Sequence, residues 1–326
     1  MTELSVPLAP VDIALSETAR ERMRDGVAAN TRRAYTGAAN RFARWCEQAG
    51  RSALPASAET LAEYVNHLAD LGRSRSTVQQ AIAAIRKGHK LAGYNAQPDT
   101  EMALLVLRAA TRERTKRGVR AEQAPPVTVK VLRAMLDTLD PAKPADVRDH
   151  ALLVLGWAAF ARRSEIAGWQ LEDVHETEHG LEVWIREAKT DHTGEGQRAD
   201  LPRGSHPDTD PVTLWRRWVT LLAERGITSG PLLRTVTWYG DIGGAMSGDA
   251  VSEAVRRMAV RAKVPRAEEY SGHSLRAGAA TAAFEAGAPI AAVCRAGRWV
   301  DGSQAVGRYF RSVDRWRDHP LRNVGL

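Results

Sequence analysis

Residues 271–287 read SGHSLRAGAATAAFEAG, and this stretch decides the fold. Alanines dominate it, no proline interrupts it, and the spacing predicts a helix over 272–286. His273 and Arg276 are three residues apart and so share one side of that helix. Glycine and alanine then recur, which lets a second element approach closely. A His-x-x-Arg pair by itself is most often an ordinary surface or core feature, so its neighbours have to decide.

Upstream, AAFARRSEIAGW (158–169) follows an apolar helix running from Leu152 to Phe160. Burying two adjacent arginines there calls for an anionic partner, and Glu165, three residues beyond Arg162, is placed to orient one guanidinium. A helix end answered by basic side chains is the plainer reading. Leu181, Val183 and Ile185 alternate with mostly polar neighbours as in a half-buried strand, and a polar turn containing Lys189 leads to a return segment ending at Leu201-Pro202. A lone hairpin lysine is ordinarily a solvated charge. Downstream, AGRWVDGSQAVGRYFR (296–311) carries Trp299 and Tyr309, the latter between Arg308 and Arg311 on a short helix.

The rest of the chain supplies the setting. Its 326 residues suggest two domains, and 44% apolar composition suffices for two cores. The 46 basic residues outnumber 39 acidic ones, and only seven are lysines. Residues 1–124 hold 19 basic and 13 acidic side chains, leaving 27 and 26 for the remainder. Either a coding bias toward arginine or the use of guanidinium forks on phosphate accounts for the ratio, but coding bias does not account for this asymmetry, which points to a polyanionic partner of the N-terminal half. Cys46 and Cys294 offer neither a disulfide framework nor a zinc site. No apolar run is long enough to span a bilayer, so no membrane partner is expected and a reducing cytoplasm is the expected compartment.

Residues 1–16 read as a flexible arm and 17–117 as a bundle of four or five helices. One helix starts at Asn30-Thr31 with Ala34, Ala38, Phe42, Trp45 and Cys46 along one side. Others carry Leu61 to Leu68, open at Ser76, and run from about Asp99 to Thr115. Residues 118–127, ending in Pro125 and Pro126, read as a linker. Helices are expected at roughly 128–138, 145–159, 211–224, 248–263, 289–296 and 303–312, with PLLRTVTW (231–238) a short extended piece.

Arg-x-x-Glu after a helix, Lys on a hairpin, His-x-x-Arg, Trp, then Tyr near the C-terminus, all behind a basic helical segment, resembles the tyrosine recombinases. These are the phage-type integrases and site-specific DNA recombinases, and the Cre-like branch is the most similar. The resemblance implies a mainly α fold with an N-terminal SAM-like core-binding bundle. It also implies a catalytic domain over 128–326, mostly helical, with a small antiparallel sheet of the DNA breaking-rejoining kind, the two closing on duplex DNA. Arg162, Glu165, Lys189, His273, Arg276, Trp299 and Tyr309 then take the catalytic positions, with Tyr309 the nucleophile. No metal, cofactor or ATP is implied. The implied partners are double-stranded DNA with an inverted-repeat site and a homotetramer on it, dimeric or monomeric when free, in a bacterial nucleoid-associated setting. Arg32, Arg33, Gln80, Arg86 and Lys87 are the expected DNA contacts of the bundle, and the helix after Ser247 is a further candidate reader.

Two departures stand out. Tyr309 stands ten positions after Trp299 where a step of nine is expected, and Phe160-Ala161 replaces Gly-Leu. Competing readings are a type IB topoisomerase or telomere resolvase, a catalytically silent DNA-binding regulator, and, more remotely, a metal-dependent phosphoesterase.

Overall fold

Phe42 and Cys46, then Leu61, Tyr64, Val65 and Leu68, then Val78, Ile82 and Ile85 repeat at three- and four-residue intervals, and these stripes meet as one core. The computed structural model describes residues 16–26, 29–95, 97–119, 123–187, 194–300, 306, 307, 309 and 321. The chain divides into two compact units between Glu122 and Gln123. The expected arm over 1–16 lies, apart from Ser16, outside the described residues.

The first unit has five helices: α1 (Glu17–Asp25), α2 (Ala29–Gln48), α3 (Ala58–Asp70), α4 (Arg75–Leu91) and α5 (Glu101–Lys116). α3 packs on α5 and α2 on α4. Ser57 and Ser74 cap α3 and α4, their hydroxyls accepting the amides of Thr60 and Thr77. The helix expected to open at Ser76 therefore opens at Arg75, because Ser74 is the residue that satisfies an otherwise unpaired amide. Gly72, at φ +68, ends the turn after α3. Buried His89 accepts the Ala56 amide at Nε2 (2.9 Å) and donates from Nδ1 to the Ile85 carbonyl (2.8 Å), tying the loop before α3 to α4.

The second unit contains α6 (Val129–Leu136), α7 (Pro144–Ala158), α8 (Arg163–Gly168), β1 (Val174–Glu176), β2 (Gly180–Ile185), β3 (Gln197–Pro202), α9 (Pro211–Ala223), β4 (Arg234–Val236), β5 (Ile242–Ala245), α10 (Gly248–Arg261), α11 (Gly272–Glu285) and α12 (Ile290–Gly297). β1, β2 and β3 form an antiparallel sheet in that order, with Val183 opposite Val174 on one side and Ala199 on the other. β4 and β5 pair separately. This is the mainly α architecture with a small antiparallel sheet that the sequence implied.

α7 is buried on nearly every side, so its charged residues need internal partners. Asp149 accepts from Arg148 and Arg257 at 2.6 Å each, and Asp146 accepts from Arg261. The Arg257 and Arg261 pairs fasten α7 to α10. α11 is equally enclosed, and Gly278 shows why its small residues matter: a Cβ there would sit 1.9 Å from the Val127 carbonyl oxygen. Val127, placed by the sequence at the end of the linker, is fully buried in this unit's core, its amide bonded to Ser274 and its carbonyl to the Trp157 indole. The enclosed α7 and α11 bring their ends, Phe160 and His273, to one place.

Candidate active site

α7 stops at Ala158, and its last carbonyls are closed by a turn through Phe160. The Phe160 amide donates to Trp157 and the Ala161 amide to Gly156, at 3.0 Å each, with Phe160 at φ +49. A bulky residue in this left-handed region costs about 1–2 kcal/mol. The departure from Gly-Leu is thus a phenylalanine held where glycine is free of strain. Its carbonyl accepts from Arg276 Nη1 at 2.5 Å.

Arg162 follows as the N-cap of α8, a six-residue helix too short for periodicity to reveal. Its amide donates to Glu165 Oε2 (3.0 Å) and its Nη1 to Oε1 (2.5 Å). Arg298 Nη2 donates to Oε2 as well, at 2.8 Å. Burial pushes the Glu165 carboxyl up, but the charges of Arg298 and Arg162 and the Arg162 amide outweigh it and hold the group below the usual carboxylate range. Arg163 turns outward and pairs with Asp249 at the start of α10 (2.8 Å), so the two adjacent arginines divide between a buried and an exposed acid.

Arg276, 2% exposed on α11, donates from Nη2 to the Gly297 carbonyl at 2.5 Å as well as to Phe160. Its guanidinium lies 3.8 Å over the Trp299 ring. Burial first, then the charge of Arg162, pushes its pKa down to about 9, which leaves it cationic at neutral pH. Trp299 meets Phe160 edge-on at 6.3 Å and lies 6.0 Å from the Tyr309 ring. Gly297 permits this: a Cβ there would stand 1.8 Å from Trp299 Cζ3. The Tyr309 hydroxyl lies 3.0 Å from Nε2 of His273. Desolvation, then Arg276 and Arg162, pull His273 below the ordinary imidazole value of 6.5, so the ring is neutral at pH 7. Phe160, Trp299 and Tyr309 rest on an apolar floor of Ala280, Phe284, Val293, Cys294 and Val306.

Six of the seven expected catalytic residues therefore share one basin: Arg162, Glu165, His273, Arg276, Trp299 and Tyr309. Lys189 lies outside the described residues, between β2 and β3. The expected helix over 303–312 is described only at Val306, Gly307 and Tyr309, all helical. In the first unit, Arg32 and Arg33 lie on α2, and Gln80, Arg86 and Lys87 are exposed on α4, which packs against α2.

Residues 126–315 match the model of the phage integrase family, and residues 22–93 match the N-terminal SAM-like domain of phage integrases. The chain belongs to the phage integrase family. This integrase is 29% identical to an integrase/recombinase XerD homolog of Selenomonas ruminantium, over 95% of this chain and 89% of that one. It is 25% identical to the recombinase Cre of Escherichia phage P1, over 95% and 93%. Among solved structures, the Tn1549 transposon integrase in complex with circular intermediate DNA shares the fold at a TM-score of 0.60 and 14% identity, covering 92% of this chain and 97% of that one. A lambda integrase dimer bound to a core site aligns at 0.56 and 12%, covering 89% and 92%. No described helix of the integrase is long and apolar enough to cross a membrane.

The integrase site contains groups that its sequence did not single out. Arg298 stands beside Trp299 in AGRWV with no motif to mark it, and the carbonyls of Phe160 and Gly297 are not foreseeable from residue type. Both depend on backbone turns, at φ +49 for Phe160 and +55 for Arg298, in residues whose type gives no hint of them.

Proposed function

We propose that this integrase is a site-specific DNA recombinase that cuts and rejoins duplex DNA through a 3′-phosphotyrosyl link. The observation that carries the reading is the Tyr309 hydroxyl 3.0 Å from His273 Nε2, in the basin shared by Arg162, Arg276 and Trp299. Exchange at phosphorus builds negative charge on the non-bridging oxygens, and fixed cationic donors stabilise it. Arg276 uses two of its five N–H groups on carbonyls, which leaves donors for a phosphate. Arg162, held by Glu165, supplies the second cation, and the Trp299 indole N–H a neutral donor. The Tyr309 oxygen attacks phosphorus, its proton passes to neutral His273, and the bond to the 5′-oxygen breaks. Lys189 donates the proton to that oxygen on this reading. Attack by a 5′-hydroxyl from a partner duplex reverses the step, so the bond energy is conserved.

Arg32, Arg33, Gln80, Arg86 and Lys87 are the proposed DNA contacts of the N-terminal bundle. The charge surplus of that half and the exposed positions on α4 support this assignment. Exchange between two inverted-repeat sites engages four protomers. The test is a plasmid with two copies of the site, together with a nicked duplex that traps the intermediate. Exchange of flanking markers and a DNA adduct mapped to Tyr309 support the reading. Relaxation without exchange points to a topoisomerase, and site binding without an adduct points to a regulator.

Two further outcomes follow from the geometry. Gly297→Ala forces the Trp299 indole off the Arg276 plane, and a displacement of this order is expected to slow adduct formation by about 10²-fold. Single-turnover trapping beside a gel-shift control reads it. The acid limb of the cleavage rate is expected below pH 6.5, because His273 has to be neutral to accept the phenol proton and its environment lowers its pKa. A limb centred above 6.5 contradicts that assignment.

A further inference from the structure

Glu165 is the one carboxylate described in the basin, and two guanidiniums share it. Oε1 accepts from Arg162 and Oε2 from Arg298, while the Glu165 side chain is only 1% exposed. A buried acid with Arg162 as its sole partner forms a closed pair, and Arg162 then has little net charge to offer a phosphate. Arg298 alters this count. With Glu165 at −1 and Arg162, Arg276 and Arg298 at +1 each, these four described groups sum to +2, against +1 without Arg298.

Arg298 is built in firmly. It is 8% exposed, and its Nη1 donates to the carbonyls of Ala159 (3.0 Å) and Ala296 (3.1 Å). It caps α12 at φ +55 and ψ +45, a conformation that favours glycine. A long side chain kept at such a position, within a functional basin, signals that the side chain is needed there.

On the recombinase reading above, we propose that Arg298 is a positioning residue for the cleavage reaction. It cancels the charge of Glu165, so that Glu165 fixes the geometry of Arg162 without consuming its charge. It acts through Glu165 and does not contact the phosphate.

A double-mutant cycle tests this, read as the single-turnover rate of phosphotyrosyl adduct formation on a nicked duplex, with gel-shift binding and thermal melting alongside. Arg298→Met is expected to slow adduct formation by roughly ten- to a hundredfold in the otherwise native protein, a smaller loss than direct removal of a phosphate donor. In a Glu165→Gln background the same substitution is expected to cost less than about threefold, since no charge remains to cancel. Equal fold-losses in both backgrounds assign Arg298 to its carbonyl and helix-cap contacts and overturn the proposal, as does a native rate for Arg298→Met. If Arg298→Met does not fold at the assay temperature, Arg298→Lys replaces it, keeping the charge while losing the fork. A rate within about threefold of native then supports the proposal, and a loss of tenfold or more overturns it. Absence of any adduct from the native protein removes the recombinase reading, and this inference with it.

Discussion

Phenylalanine in place of Tyr309 is expected to abolish the covalent protein–DNA adduct, a loss of roughly 10⁴-fold or more, the scale on which removal of a nucleophile operates. The substitution deletes one oxygen and little else. The ring still packs 6.0 Å from Trp299 and against the apolar floor that Val306 helps to build, so residue 309 keeps its seat. What disappears is the contact to His273 Nε2. A free phenol titrates near pH 10 and is a poor nucleophile at neutral pH. Nearby cations favour the phenoxide, and a neutral imidazole at hydrogen-bond distance gives its proton a destination. Site binding rests on other groups and is expected to stay within about twofold, which separates loss of chemistry from loss of fold. Denaturing gels of trapped complexes beside native gel shifts make the measurement. An adduct that persists in the variant assigns the nucleophile to another residue.

The geometry of this site was partly legible in the sequence, and the boundary has physical causes. The stripe of Ala38, Phe42 and Cys46 on α2 was readable because that helix has one buried and one exposed side. The β2–β3 hairpin was readable because Leu181, Val183 and Ile185 point inward while Glu182 and Trp184 do not. α7 and α11 lie among other elements on most sides, so no polar stripe marks their orientation. Their apolar or alanine-rich runs gave the helices but not which ends converge. β1 and β5, only three and four residues long, are too short for an alternation to mark them. The charged members Arg162, Glu165, His273 and Arg276 were nameable from their order along the chain and their chemistry. Arg298 was not, because its role depends on a left-handed turn and on a carboxylate 133 residues earlier in the chain.

Arg276 is the second position where a large effect is expected, and the lysine variant is the more informative one. Arg276→Ala is expected to lower the adduct-forming rate by roughly 10³-fold, in line with deletion of a principal donor to the transition state. It also leaves the Phe160 and Gly297 carbonyls without their donor, at about 1–3 kcal/mol for each one left unsatisfied, so a lower melting temperature is expected as well. Arg276→Lys keeps a positive charge, yet a loss of 10²-fold or more is still expected, because the guanidinium here acts as a plane with several edges and not as a point charge. One terminal nitrogen reaches the turn after α7 and the other the end of α12, while the face lies 3.8 Å over the Trp299 ring. An ammonium on a flexible stem does not span both carbonyls and stack on the indole while also presenting donors to a phosphate. Trp299 then loses the platform that aims its N–H, so the two donors fail together, and Arg276→Lys with Trp299→Phe is expected to be far from additive. If the lysine variant instead retains a tenth or more of the native rate with Trp299 intact, charge alone accounts for Arg276 and the planar fork has no part in the chemistry.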